Sequence, residues 1–136
     1  MESLLAGLIA GAAMGMASTA LIASIVVESA RVARHLHERY ADAPLPLLGV
    51  AVTLGAHAAW GAIGLGLGAI YWAVRDGAQA GAGSPAWGFS LAIALPAGLA
   101  LLFVVAARLP ALRRLTLLAL LFAGLFGWLL PHLAGA

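Results

Sequence analysis

A chain of 136 residues that is 64% hydrophobic and only 9% charged, with a mean hydropathy of +1.06, lies far above the apolar share of about 45–50% in soluble domains. That excludes a soluble catalytic domain and predicts an integral membrane protein. The net charge of +2 is too small to signal nucleic-acid binding, although the pI is 9.9.

There are no cysteines, which removes disulfides, thiolate chemistry and Cys-ligated zinc or iron–sulfur centres together. All seven basic residues are Arg. With the heavy Ala, Gly and Leu usage, this suggests a GC-rich bacterial genome. A helix needs about 20 apolar residues to cross a hydrocarbon core of about 30 Å. Four runs meet that length, at about 4–27, 47–74, 86–107 and 112–130. The fold class expected is all-α: a polytopic transmembrane four-helix bundle, antiparallel, with short loops, forming one integral membrane domain.

The first run has no basic residue at its start and continues past Ser18 and Thr19, so it reads as a retained span, not a cleaved signal peptide. Gly7, Gly11 and Gly15 recur every fourth residue, the extended form of the small-residue motif that lets two helix backbones approach in lipid. Ser18 continues their stripe, and hydroxyls in this region can bond a carbonyl of the preceding turn.

From Glu28 to Asp42 the sequence is polar but helical in texture, which predicts an extension of the first helix beyond the membrane to about residue 41. Pro44 and Pro46 then break it. Glu28 with Arg31, and Arg34 with Glu38, have the spacing of helix-surface pairs. His35 and His37 lie two apart and so point to different sides, which argues against a metal-chelating pair.

The second run has two small-residue faces. At roughly 100° per residue, Thr53, His57, Gly61, Gly64, Gly68 and Tyr71 share one stripe, while Gly55, Ala62, Gly66, Ala69 and Ala73 share the opposite one. Small residues on both sides predict two close neighbours and a central position for this helix.

His57 lies about ten residues into the span, so about 15 Å from its inner end. An ionisable group at that depth is a functional candidate by default. Three readings fit it. The plainest is a neutral imidazole bonded to a backbone carbonyl or hydroxyl of a neighbouring helix, with Ser90, Thr116 and Thr53 as candidates. The second is ligation of a haem or chlorophyll-type pigment, for which Ala56, Ala58, Ala59 and Gly61 leave room; His132 lies at the far outer end, so no second imidazole of the chain completes a bis-histidine pair. The third is a proton or substrate relay, although no Asp, Glu, Lys or Arg accompanies it inside the spans.

The third run is opened by Ser84-Pro85, a suitable N-cap and first turn. Pro96 lies in its middle and is expected to kink it. After Arg108, Leu109-Pro110 marks a tight turn. The fourth run starts near Arg113 and Arg114 and carries Gly124 and Gly127 as packing candidates.

Arg31, Arg34, Arg39, Arg108, Arg113 and Arg114 flank the first and third connections, and only Arg75 lies in the second. The positive-inside rule then puts both termini outside. Tyr71, Trp72, Trp87 and Trp128 near the outer ends form a matching aromatic belt.

The opening AGLIAGAAMGMAST and the pattern GAHAAWGAIGLGLGAIY resemble small bacterial four-helix membrane proteins classed as domains of unknown function. The resemblance covers about half the chain and implies no activity.

No nucleophile–base pair, carboxylate pair or phosphate loop is recognisable, so no enzyme is expected; GLGLG has no preceding strand and is not a nucleotide loop. The expected function is a structural or accessory subunit of a larger bioenergetic or transport assembly in the bacterial inner membrane. It would pack through Gly7, Gly11, Gly15, Gly61, Gly64, Gly68, Gly124 and Gly127, and would meet lipid or a partner with its Arg-rich face. The alternative is a small homo-oligomeric transporter or channel with His57 lining the path. Expected partners are membrane lipids and other membrane subunits or further copies of the chain, not nucleic acid.

Overall fold

The computed structural model describes residues 1–40, 45–77, 87–106 and 113–135. Among these the chain is helical, in the order α1 (Glu2–Glu28), α2 (Ala30–Arg39), α3 (Leu45–Gly77), α4 (Trp87–Ala106), α5 (Arg113–Phe122), a π-helical segment (Ala123–Leu129) and α6 (Leu130–Gly135). The last three are continuous and form one span. Four helices, Glu2–Glu28, Pro46–Arg75, Trp87–Val105 and Arg114–Gly135, are long and apolar enough to cross a membrane. The protein is therefore a multi-pass membrane helix bundle, the architecture in which each backbone N–H finds its acceptor within its own segment.

The inner pair is α1 and the last span. α1 packs along α3 on one side and along α5, the π segment and α6 on the other, whereas the close backbone approaches of α4 are to the last span. The buried residues of α1, Ser3, Ala6, Gly7, Ala10, Gly11, Met14, Gly15 and Ser18, form two adjoining stripes. Ala6, Ala10 and Met14 join Phe126, Leu130 and Ala134 of the last span in the core. Gly7, Gly11 and Gly15 meet α3. The central position expected for the second span thus belongs to the first. Both helices have two small faces, but only α1 uses both.

Aromatic contacts close the flanking helices onto this pair. Trp60 of α3 reaches Phe122 and Phe126, with ring centroids 6.0 and 6.3 Å apart, and Tyr71 meets Phe89 of α4 edge-on at 5.1 Å. The Arg75 guanidinium donates to the Ala134 carbonyl, joining the C-terminal end of α3 to the end of the last span. At the opposite rim, Arg114 pairs with Glu28.

Three helix boundaries differ from expectation. α1 does not run on to residue 41. It stops at Ser29, whose backbone is extended (φ −106°, ψ 95°) and whose Oγ accepts from the Val32 N–H at 3.3 Å, capping a separate α2. α3 begins at Leu45, which puts Pro46 in a first turn where its missing N–H costs nothing. The last span continues to Gly135 through the π segment, in which the Leu130 N–H bonds Leu125 O, five residues back. Pro131 explains the wider turn: in an α-helix its ring would crowd the carbonyl four residues earlier, and widening moves that carbonyl away. Pro96 lies inside an uninterrupted α4. The expected Ser84-Pro85 start and Leu109-Pro110 turn fall outside the described residues.

Candidate functional site

α3 has two faces of small residues, and they meet different surroundings. The inner face forms an antiparallel seam with α1. A Cβ placed on Gly7 would fall on the Gly64 carbonyl, one on Gly11 on the Trp60 carbonyl, and one on Gly68 on the Ser3 carbonyl. Backbone therefore lies directly on backbone, close enough for Cα–H groups to face carbonyl oxygens. Gly61 is packed more loosely: a Cβ there would lie 3.6 Å from the tip of Leu8.

His57 closes this seam. A Cβ on Gly15 would lie 3.0 Å from His57 Cα and 3.1 to 3.2 Å from ring atoms Cγ and Cδ2, so the imidazole is seated against α1. Its Nδ1 is 2.8 Å from the Thr53 carbonyl one turn back. A carbonyl only accepts, so Nδ1 carries a proton and donates it to this bond. The bond expected to a neighbouring helix is thus made within α3 itself, to the Thr53 backbone one turn back. The Thr53 hydroxyl bonds Gly49 O at 2.8 Å.

Ser18 continues the glycine stripe as expected, but its hydroxyl does not bond the preceding turn. Ser18 is 7% exposed, and its Oγ has no hydrogen-bond partner among the described residues. The neighbouring Thr19 hydroxyl instead bonds Gly15 O at 2.9 Å. Following the register of the seam, Ser18 comes level with the turn from Thr53 to His57.

The pigment reading finds no support in this geometry. On the side where the His57 ring meets Gly15, α1 fills the space. Ala58 and Ala59 are exposed and Gly61 faces Leu8, so the small neighbours do not make one open slot for a macrocycle.

The outer face of α3 is bare. Gly55, Ala59, Ala62, Gly66, Ala69 and Ala73 are all exposed, and a Cβ on Gly55 or Gly66 would meet nothing within 4 Å. Their spacing alternates four and three, so at 100° per residue they form one narrow stripe, flanked by exposed Ile63 and Ile70.

A second feature lies between α4 and the last span. A cleft of about 440 Å³ is lined by residues that include Trp87, Ser90, Trp128, Pro131 and His132, with Trp128 and His132 stacked nearly parallel at 5.4 Å. The π segment forms its wall. Gly127 is buried there, and a Cβ on it would lie 3.4 to 3.6 Å from Ile93 and Ser90 O, whereas one on Gly124, expected to pack, would meet open space. The signal that could have revealed the π turn is the pair Gly124 and Gly127 with Pro131 four residues after the second.

The Arg-rich set separates into different roles. Arg31, Arg34 and Arg39 lie exposed on α2, Arg114 is engaged with Glu28, Arg113 opens α5, and Arg108 lies outside the described residues. Among the described residues, no group of three or more His, Cys, Asp or Glu side chains is arranged to hold a metal ion. Compared with protein-family models, curated proteins and solved structures, the chain matches none.

Proposed function

We propose that this protein is an accessory subunit of a larger assembly in the bacterial inner membrane, and that the outer face of α3 receives a transmembrane helix of another subunit. The observation that carries the reading is the bare stripe of Gly55, Ala59, Ala62, Gly66, Ala69 and Ala73. In lipid, association is driven by close packing of small-residue faces and not by a hydrophobic difference. The inner glycines are spent within the chain, so the surface offered to a partner is the outer one. In this reading both termini face outward, as the distribution of Arg implies, and the chain neither catalyses a reaction nor moves a solute by itself.

The alternative of a homo-oligomeric transporter lined by His57 draws no support from an imidazole seated against α1 with its Nδ1 engaged. Gentle solubilisation tests the choice. The wild-type chain should co-purify with other membrane subunits, and Ala62→Leu combined with Gly66→Leu should release them while the chain itself stays folded. Selective flux from the pure chain in liposomes, abolished by His57→Phe, would overturn the proposal.

A further inference from the structure

α2 is a short polar helix attached to the rim of an apolar bundle, and most of its described residues are exposed. Val32, Leu36 and Tyr40 recur every fourth residue along one side. Val32 and Tyr40 are exposed, and the main neighbour of α2 is the end of α1. The opposite side carries Arg31, Arg34 and Glu38, with His35 toward its edge, while Arg39 at the last position falls beside Val32; all are exposed. Of the groups that keep a fixed charge, three are positive and one negative.

The level of this helix relative to the membrane follows from its attachments. α1 ends at Glu28, which pairs with Arg114 at the start of the last span, so two spans end together at this rim. α3 starts at the same rim, because it runs antiparallel to α1. The break at Ser29 comes one residue beyond Glu28, and the Ser29 cap starts a new helix there. Had α1 continued straight, Val32, Leu36 and Tyr40 would be carried into water with the Arg residues. A break at the rim lets a helix of this pattern turn into the interface, with its apolar side toward the acyl chains and its long Arg side chains reaching the headgroups.

We infer that α2 is an in-plane interfacial helix that binds the anionic headgroups of the leaflet bordering this rim. Charge complementarity selects the occupant. A polybasic segment beside a transmembrane helix is attracted to anionic lipid, each Arg contributing roughly a fivefold preference, while the apolar stripe supplies the anchorage. Val27, at the end of α1 beside the break, is also apolar and exposed.

The absence of native cysteine makes the test direct. Single cysteines at Val32, Leu36, His35 and Glu38 of the full-length protein are spin-labelled. Accessibility to oxygen and to a water-soluble nickel complex is then measured in bilayers of phosphatidylcholine alone or with phosphatidylglycerol. In the anionic bilayer, the labels at 32 and 36 should be lipid-accessible and those at 35 and 38 water-accessible. The lipid exposure of 32 and 36 should weaken in phosphatidylcholine, and again on combining Arg31→Gln with Arg39→Gln, by roughly 25-fold in the bound-to-free ratio. Glu38→Gln, which removes the one opposing charge, should shift it the other way. Labels at 32 and 36 that stay in water in both bilayers, or that are equally buried in both, would overturn the inference. So would burial that appears only when other protein subunits are present. Because the isolated chain is measured, this result stands or falls apart from the subunit proposal.

Discussion

The two faces of α3 are made of the same kind of residue and have opposite fates. On the inner face, Gly64 and Gly68 lie with α1 backbone directly against them; on the outer face, Gly55 and Gly66 look onto empty space. Two residues, about half a turn of helix, separate a position where no side chain fits from one where any would. What differs is not the residue but the neighbour. In lipid a small-residue stripe records where a backbone is to approach, whether that backbone belongs to the same chain or to another.

The sharpest way to break the comparison is to enlarge the two faces separately. Gly64→Leu should force α1 and α3 apart and cost about 1–3 kcal/mol, at the upper end because the atoms it meets are backbone and cannot rotate away. A lowered thermal midpoint of the purified chain in detergent is the readout. If Gly64→Leu unfolds like wild type, the seam is not where α1 and α3 meet.

His57→Phe probes the same seam at lower cost. It keeps a ring of similar breadth against Gly15 and removes one bond to a carbonyl, so a loss of about 0.5–1.5 kcal/mol is expected in the same thermal measurement. Wild-type stability would mean that the Nδ1 bond to Thr53 contributes nothing. The smallest effect belongs to the outer face. Gly66→Leu should change the stability of the isolated chain by no more than about 0.5 kcal/mol, with any change tending to stabilise because Leu is the better helix former. A loss as large as that of Gly64→Leu would show the outer face to be packed within the chain.

The same contrast explains what was legible in the sequence. The four spans, the antiparallel bundle and the seam glycines Gly7, Gly11, Gly64 and Gly68 follow from hydrophobic length and four-residue spacing, which are local properties. The choice of central helix did not follow, because it depends on which small stripe finds a partner inside the chain. α1 and α3 look alike in this respect until Ala6, Ala10 and Met14 are seen against Phe126 and Leu130. The break at Ser29 was hidden because Ser suits both a helix surface and an N-cap. The π turn was hidden because Gly124 and Gly127 resembled a packing pair, and in the event only Gly127 packs. His57 was legible as a buried candidate, but its bond to its own helix and the unpartnered Ser18 hydroxyl opposite depend on the register of two helices, which no single stretch encodes.

The central claim, that the outer face of α3 docks a helix of another subunit, is tested most directly by a single-cysteine scan of positions 55–73 in native membranes, with oxidative or short bifunctional cross-linking. Adducts heavier than the chain should appear at Gly55, Ala59, Ala62, Gly66, Ala69 and Ala73, with minima at Gly64 and Gly68 and at Leu99 of α4 as an exposed control. Their mass would distinguish another subunit from a second copy. Adducts absent from the outer stripe, or equally abundant at Leu99, would contradict the account.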